Sequence, residues 1–415
     1  MAASAQPRAI VIGGSLSGLL SALMLRSSGW TVEIYERVRG DLAGRGAGIV
    51  THAPLWNALD RLGIAWRDSL GVQVGVRRLF AVDGRLLAEV ECPQTLTAWD
   101  RLYDLLRAAF PAERHHRGKE LVSLEGYAGG VTAGFRDGTH ASADLLVACD
   151  GLRSTVRALL LPGVRPLYAG YVAWRGLVPE EALAQEVHQA LFMHLAFCLP
   201  QHEQVLGYPV AGPHNDLRSG RRRYNLVWYR PADEASLTGL LTEESGVTHE
   251  ISIPPPAVSR AAIADMRAAA ERVLAPQFAA CWHAASRPFV QPIYDMLAPQ
   301  LAFGRVVLVG DAAFVARPHC GIGVTKAADD AARLVDALAG ARDVESALLR
   351  YERERLPFAT RVMAQARRLG ADLQAGSGAS DAQPVLPPDV VLRETATIDF
   401  LTRAANASGN FVRIH

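Results

Sequence analysis

Residues 8–37 read RAIVIGGSLSGLLSALMLRSSGWTVEIYER, and the order of residue types in this stretch decides the fold. Ala9-Ile10-Val11-Ile12 is a short run of small and β-branched side chains without polar alternation, the pattern of a strand covered on both faces. Gly13-Gly14 turn the chain, and from Leu16 the apolar residues Leu19, Leu20, Leu23 and Met24 recur at helical spacing until Gly29 ends the run. A second strand, Thr31 to Tyr35, ends on Glu36. The result is a βαβ unit that opens on a Gly-rich turn. Such a turn offers free amide N–H groups at a helix N-terminus, close backbone approach, and a carboxylate at the next strand end for ribose hydroxyls, which are the needs of a dinucleotide pyrophosphate.

In the pattern G-x-G-x-x-G the glycines fall at Gly13 and Gly18, and the middle place is Ser15. Serine is the least bulky replacement that still admits a phosphate, and its hydroxyl can donate to the anion. Glu36 follows Gly18 by 18 residues, close to the usual spacing of about 20. An acid there favours a free 2′-hydroxyl, as in FAD or NAD, over the 2′-phosphate of NADP.

The 415 residues are enough for two domains and a sizeable core, and 50% apolar with 20% charged residues is ordinary globular usage. A net charge of +1 gives no electrostatic case for nucleic acid or an anionic membrane as partner. The basic cluster Arg221-Arg222-Arg223 reads as a solvated hairpin edge. Five scattered cysteines, with no C-x-x-C and no His at ligand spacing, indicate neither a disulfide framework nor a zinc site, so no metal is expected. The opening MAASAQPR lacks the apolar core of a signal peptide, and no apolar run approaches the length of about 20 needed to span a bilayer; the expected location is cytoplasmic.

Along the chain, residues 37–48 are a glycine-dense loop, 54–62 a helix, 72–90 a hairpin turning at Asp83-Gly84, and 102–110 a helix. A buried strand, Asp144 to Cys149, runs into Asp150-Gly151 and a helix with Ser154 near its start. Residues 166–290 change character, with short alternating segments that imply an antiparallel sheet rich in aromatic rings, a stiff connection at 253–258 and a helical stretch over 259–285. At Arg305 the chain returns to the first domain with a buried strand ending in Gly310-Asp311-Ala312-Ala313, after which a helix opens near Val324; Lys326, Asp329, Asp330 and Arg333 read as surface pairing along it. A further amphipathic helix spans 344–369.

Three ligand-facing turns in order carry a resemblance: Gly13-Gly14-Ser15-Leu16-Ser17-Gly18, Asp150-Gly151, and Gly310-Asp311-Ala312-Ala313 followed by Pro318, Gly321 and Gly323. Together they resemble the single-component FAD-dependent aromatic hydroxylases, the class typified by para-hydroxybenzoate hydroxylase, over about residues 8–370. Residues 168–176 (YAGYVAWRG) and Arg317-Pro318-His319 look like its 2,6-dihydroxypyridine 3-hydroxylase subgroup. The implied fold class is α/β, in the α+β two-domain sense: a Rossmann-like FAD-binding domain over 1–75, 98–165 and 291–370, an inserted antiparallel-sheet substrate domain over 76–97 and 166–290, and a C-terminal helical segment over 371–415. The resemblance places Gly13, Ser15, Ser17 and Gly18 on the FAD pyrophosphate, Glu36 on the adenosine ribose with Arg37 beside it, and Asp311 on the ribityl or pyrophosphate region. Gly321, Gly323 and Val324 fall at the flavin edge with Pro318 before them, Asp150 at a turn touching FAD and pyridine nucleotide, and residues 46–49, including Gly48 and Ile49, near the isoalloxazine.

The implied reaction uses NADH or NADPH and O2 to hydroxylate a hydroxylated aromatic or N-heteroaromatic ring through a hydroperoxide at flavin C4a. A reductase, epoxidase or Baeyer–Villiger enzyme of the same fold is the alternative. His52, Tyr208 and His319 are the candidates for ionising the substrate hydroxyl. The chain departs from the class at Phe314, where His is common, at Ile322 within Gly-Gln-Gly, and at Trp99, where an arginine commonly contacts an FAD phosphate. A homodimer is a further expectation.

Overall fold

A computed structural model describes residues 6–42, 48–375 and 386–403. Gly46 and Ala47 of the expected flavin loop, and most of the link at 375–383, lie outside the described residues.

The βαβ reading locates the centre of a six-stranded sheet. Strand Arg8–Ile12 pairs in parallel with Thr31–Glu36 on one side and Leu145–Ala148 on the other, and Val306–Leu308 and His115–Arg117 extend the parallel set. Ala302–Phe303 adds an antiparallel edge. Ile10, Val11 and Ile12 are buried because both helices and a small sheet pack on this layer: Leu16–Ser27 lies against the long helix Gly323–Ala339, which packs in turn on Val344–Leu369, and strands Gly130–Phe135 and His140–Ala143 pack against Leu145–Ala148 and Arg8–Ile12. That burial explains why helix Leu16–Ser27 is apolar nearly all round, with Leu19, Leu20, Met24 and Leu25 all excluded from water.

The large sheet has nine strands, in the order Phe314–Val315, Phe289–Leu297, Leu167–Pro179, Arg223–Pro231, Gln204–Val210, Leu195–Cys198, Val72–Phe80, Leu86–Ala98 and Gly48–Val50. It is antiparallel except where Leu195–Cys198 runs parallel to Val72–Phe80, a pairing that the alternating segments did not disclose. Alternation along Leu167–Pro179 sends Val172, Trp174 and Val178 to the face covered by helices Arg260–Val273 and Pro276–Ala284, and Tyr171 and Ala173 to the opposite face. The single helical stretch expected over 259–285 is two helices, parted at Leu274-Ala275 before Pro276, which restricts its predecessor to extended backbone. A three-stranded sheet, Leu121–Tyr127, Gly130–Phe135 and His140–Ala143, packs on the parallel sheet and shares its core through Val131, Ala133, Phe135 and Ala143.

The basic cluster differs from its expected surface role. Arg222 grips the buried Glu180 with Nε and Nη2 at 2.9 and 2.8 Å, and Arg223 Nε donates to Ala211 O at 3.0 Å, so the basic cluster is stapled into the sheet edge. In the same sheet the buried Arg77 donates through Nη1 to the carbonyls of Leu392 and Thr395, both at 2.7 Å. These are orphan carbonyls at the C-terminus of helix Pro388–Glu394, and the guanidinium holds that helix on the large sheet.

Candidate active site

The carboxyl ends of the central parallel strands open on a cavity of about 310 Å³ walled by Gly13, Ser15, Glu36, Arg37, Asp150 and Trp99. Gly13 has φ +101°, and a Cβ there would lie 2.4 Å from Cys149 O; a Cβ on Gly18 would lie 1.8 Å from Gly13 O. The turn therefore closes only without side chains at both places. Glu36 Oε2 accepts from Gly14 N and Oε1 from Val38 N, each at 2.8 Å, which ties the second strand's end to the turn while leaving acceptor capacity on both oxygens. Asp150 Oδ2 accepts from Val156 N at 3.1 Å, its Oδ1 is buried without a partner among the described residues, and burial pushes its carboxyl above the ordinary value. Ser17 lies beneath the turn, its buried Oγ unpartnered among the described residues, where a Cβ on Gly310 would come within 2.5 Å of it. Orphaned polar atoms beside a backbone cradle that a Cβ would fill suit the hydroxyls and phosphates of FAD. Trp99 occupies the wall with its ring stacked on Tyr103, centroids 4.9 Å apart, so a flat apolar surface stands where the class commonly has an arginine.

The turn after Asp150 forms a partition, for Leu152 faces a second cavity of about 360 Å³. Its floor is the inner face of the large sheet, with Arg175, Tyr208 and Tyr229, and its roof is the loop Pro318–Val324 together with Gly48 and Ile49. Gly48 N donates to Asn225 Oδ1 at 3.0 Å, and a Cβ on Gly48 would lie 2.5 Å from the Tyr208 ring, so this strand can approach the sheet only as glycine. Gly321, Gly323 and Val324 present the start of helix Gly323–Ala339, whose first intrahelical bond comes from Lys326 N to Ile322 O. The amides before it point a positive dipole end at the cavity.

Asp311 stands at the same roof, and its partner corrects the reading of the helix as a surface. Lys326 is 1% exposed; Nζ meets Asp311 Oδ1 at 2.7 Å, donates to Phe314 O and lies 4.0 Å from the Phe314 ring centroid. Asp330, also 1% exposed, accepts from Gly310 N at 3.0 Å and from Arg355 Nε at 2.7 Å. The face carrying Lys326 and Asp330 therefore turns inward to fix the Gly310-Asp311 turn. Lys326→Met keeps the stem and removes the charge-assisted bonds, about 1.5–3 kcal/mol. FAD affinity is expected to fall by roughly ten- to a hundredfold, as read by flavin-fluorescence titration; unchanged affinity would separate Asp311 from cofactor binding.

Among the three expected acid–base residues, the structure brings Tyr208 and His319 to the second cavity. His319 Nε2 bonds to Tyr171 Oη at 2.7 Å, its Nδ1 has no partner among the described residues, and burial, with Arg317 alongside, lowers its pKa to about 3. Arg317 is held by Asp295 at 3.0 Å, and Asp295 is gripped again by Arg367 Nη2 at 2.8 Å. Burial raises the Asp295 carboxyl, but the bonds from Arg367 and Arg317 outweigh it and leave the pKa below its ordinary value. Burial also pushes the Tyr208 phenol up to about 12, opposed by the nearby Arg175 guanidinium. His52 lies elsewhere: Nδ1 meets Thr325 Oγ1 at 3.1 Å and Nε2 meets Ala396 O at 3.3 Å, so the ring joins helix Gly323–Ala339 to the turn that follows helix Pro388–Glu394. Arg175, Tyr171, Tyr229 and Lys326 were missed as site residues. For Arg175 a signal existed, a lone charge at a core-face position of an aromatic strand.

A dinucleotide cleft joined through the Asp150 turn to an aromatic cavity at a helix N-terminus defines a FAD-binding oxidoreductase. A family model described as FAD binding domain matches residues 280–366, and one described as FAD binding domain-like matches 168–295. The 2,6-dihydroxypyridine 3-monooxygenase of Paenarthrobacter nicotinovorans is 32% identical over 91% of this chain and 94% of its own length. The solved 2,6-dihydroxypyridine-3-hydroxylase from Arthrobacter nicotinovorans superposes with a TM-score of 0.84 at 32% identity, covering 92% of this chain and 96% of that one. A 3-amino-4-hydroxybenzoate 2-monooxygenase of Streptomyces cremeus is 31% identical over 89% of each. The chain belongs to the single-component FAD-dependent aromatic hydroxylases, flavoprotein monooxygenases that use NAD(P)H as reductant.

Proposed function

We propose that the substrate is a hydroxylated aromatic or N-heteroaromatic ring of hydroxypyridine type, which binds in the second cavity and is hydroxylated there. The observation that carries this reading is the convergence of flat apolar walls with the hydroxyls of Tyr208 and Tyr229, which make no hydrogen bond among the described residues, and with the buried, unpartnered Nδ1 of His319, near the start of helix Gly323–Ala339. Relatives that act on a dihydroxypyridine and an aminohydroxybenzoate support the choice of ring.

Gly13, Ser15, Gly18, Glu36 and Arg37 would hold the adenosine and pyrophosphate part of FAD, with Ser17 and Asp150 beside it. Asp311, Gly48, Ile49, Pro318, Gly321, Gly323 and Val324 would hold the flavin part. When bound, FAD supplies hydride acceptance from NAD(P)H and the activation of O2. The rings of Tyr208 and Tyr229, with Leu206 and Ile293, exclude water and orient the substrate plane. The His319 tautomer that carries its proton on Nε2, donating it to Tyr171 Oη, leaves Nδ1 free to accept a hydrogen bond from a ring hydroxyl, which orients that hydroxyl and raises electron density on the ring. In this reading the FAD-binding domain is 1–75, 98–165 and 291–370, and the substrate domain 76–97 and 166–290, although the large sheet itself takes in Val72–Phe80 and Leu86–Ala98 whole.

A cytoplasmic location is part of the proposal: all five cysteines are free and four are buried, and no described helix is long and apolar enough to cross a membrane. The homodimer belongs to it as well and is read by light scattering. The test of the activity is NAD(P)H oxidation by FAD-loaded protein against hydroxypyridines and hydroxybenzoates, with O2 uptake, peroxide and product quantified. One ring compound is expected to accelerate oxidation with a hydroxylated product and little peroxide. If every ring is inert while FAD stays bound, the substrate class is wrong.

A further inference from the structure

The charges facing the second cavity do not balance. Arg317 is matched by Asp295 and Lys326 by Asp311, and His319 is neutral. Arg175 has no counterpart: among the described residues it makes no hydrogen bond and no ion pair, and its buried Nε is without a partner. It stands on strand Leu167–Pro179 directly across from Val227, on the sheet face that carries Tyr171 and Ala173. Its guanidinium is close enough to the Tyr208 and Tyr229 phenols to act on both.

Leaving a half-buried guanidinium unpaired among aromatic rings is costly, and arginine offers a planar fork suited to a carboxylate or to a ring oxygen. The two tyrosine hydroxyls, which also make no hydrogen bond among the described residues, supply neutral donors on the same wall. We propose that the ring bound in this cavity carries a negative charge, and that Arg175 is the specificity residue that pairs with it. The inference rests on the ring-hydroxylase reading above and narrows it to anions. The charge has two chemical sources, a carboxylate substituent or an ionised ring hydroxyl.

The test compares FAD-loaded wild type, Arg175→Gln and Arg175→Lys at equal flavin content, with ligand binding read from the flavin absorbance change. Two probe pairs separate the sources: 6-hydroxynicotinate against 6-hydroxynicotinamide, and 2,6-dihydroxypyridine against 2,6-dimethoxypyridine, the second pair followed from pH 6 to 9. Wild type is expected to prefer the anion of one pair by about tenfold or more, Arg175→Gln to lose the preference, and Arg175→Lys to keep part of it. A carboxylate requirement appears in the first pair, and an oxyanion requirement as tighter binding of 2,6-dihydroxypyridine at higher pH. Ring binding with no charge preference in wild type, or a preference that survives in Arg175→Gln, overturns the proposal and leaves the hydroxylase reading standing. Failure of all four probes to bind overturns both.

Discussion

Gly13→Ala is expected to abolish high-affinity FAD binding and to destabilise the parallel-sheet core, whereas Gly29→Ala, at nearly the same backbone angle, leaves FAD binding intact. Gly13 has φ +101° and Gly29 has φ +93°, so each alanine meets the same conformational strain, about 1 kcal/mol. The neighbours differ. Nothing lies within 4 Å of a Cβ on Gly29, but a Cβ on Gly13 meets Cys149 O at 2.4 Å and Asp150 Cα at 3.0 Å. Those contacts are backbone, so the turn must move away from the strand Leu145–Ala148 and carry with it the amides beside Ser15 and the grip of Glu36 on Gly14. Overpacking of this kind costs about 1–3 kcal/mol beyond the strain. FAD affinity is expected to fall at least about a hundredfold, equivalent to roughly 3 kcal/mol. Flavin-fluorescence titration and urea unfolding of both variants measure this. Wild-type FAD affinity in Gly13→Ala would show that the Gly-rich turn does not hold the cofactor.

The turn was legible because its signal is local: glycine, helix period and a following acid all lie within 30 residues. The same holds for Gly310-Asp311 and for the helix that opens at Gly323. What the sequence hid is long-range. Tyr171 and His319 are 148 positions apart and meet only because a strand of the large sheet passes beneath the loop before the helix. Lys326, Asp329, Asp330 and Arg333 show the spacing of an exposed helix face, and only the packing of Val344–Leu369, which brings Arg355 to Asp329 and Asp330, reveals that part of this face is inside. Arg77 is hidden for the same reason, since the carbonyls it satisfies come from the far end of the chain. His52 beside the glycine-dense loop had the placement of a catalytic base, but the structure uses both of its ring nitrogens for tethering.

That tethering sets how the protein responds to acid. With Nε2–H donating to Ala396 O and Nδ1 accepting from the Thr325 hydroxyl, neutral His52 is fully satisfied; burial, with Arg77 also nearby, lowers its pKa to about 4 from an ordinary 6.5. His319 is lowered to about 3, again by burial first and Arg317 second. Both folded values lie below the unfolded one, so at pH 7 and above the titration of neither histidine makes stability depend on pH. As pH falls below about 6.5 the unfolded chain takes up a proton at each site and the folded chain does not, so each histidine removes about 1.4 kcal/mol of stability per pH unit until its folded pKa is reached. Asp295 and Glu180, whose folded pKa values are lowered, act in the same direction only below their ordinary values of 3.8 and 4.5, so they leave the interval from pH 6.5 to 4.5 to the histidines. Asp150, raised by burial, acts oppositely and is unchanged between variants. Urea unfolding of wild type and His52→Gln at pH 7.5, 6.5, 5.5 and 4.5 isolates one site, because every other group cancels in the difference. The variant is expected to be less stable at pH 7.5, having lost at least one buried hydrogen bond, and to lose about 1.4 kcal/mol less than wild type per pH unit below 6.5. Parallel pH profiles for the two proteins would mean that His52 is protonated in the folded state, and that Thr325 and Ala396 do not hold it neutral.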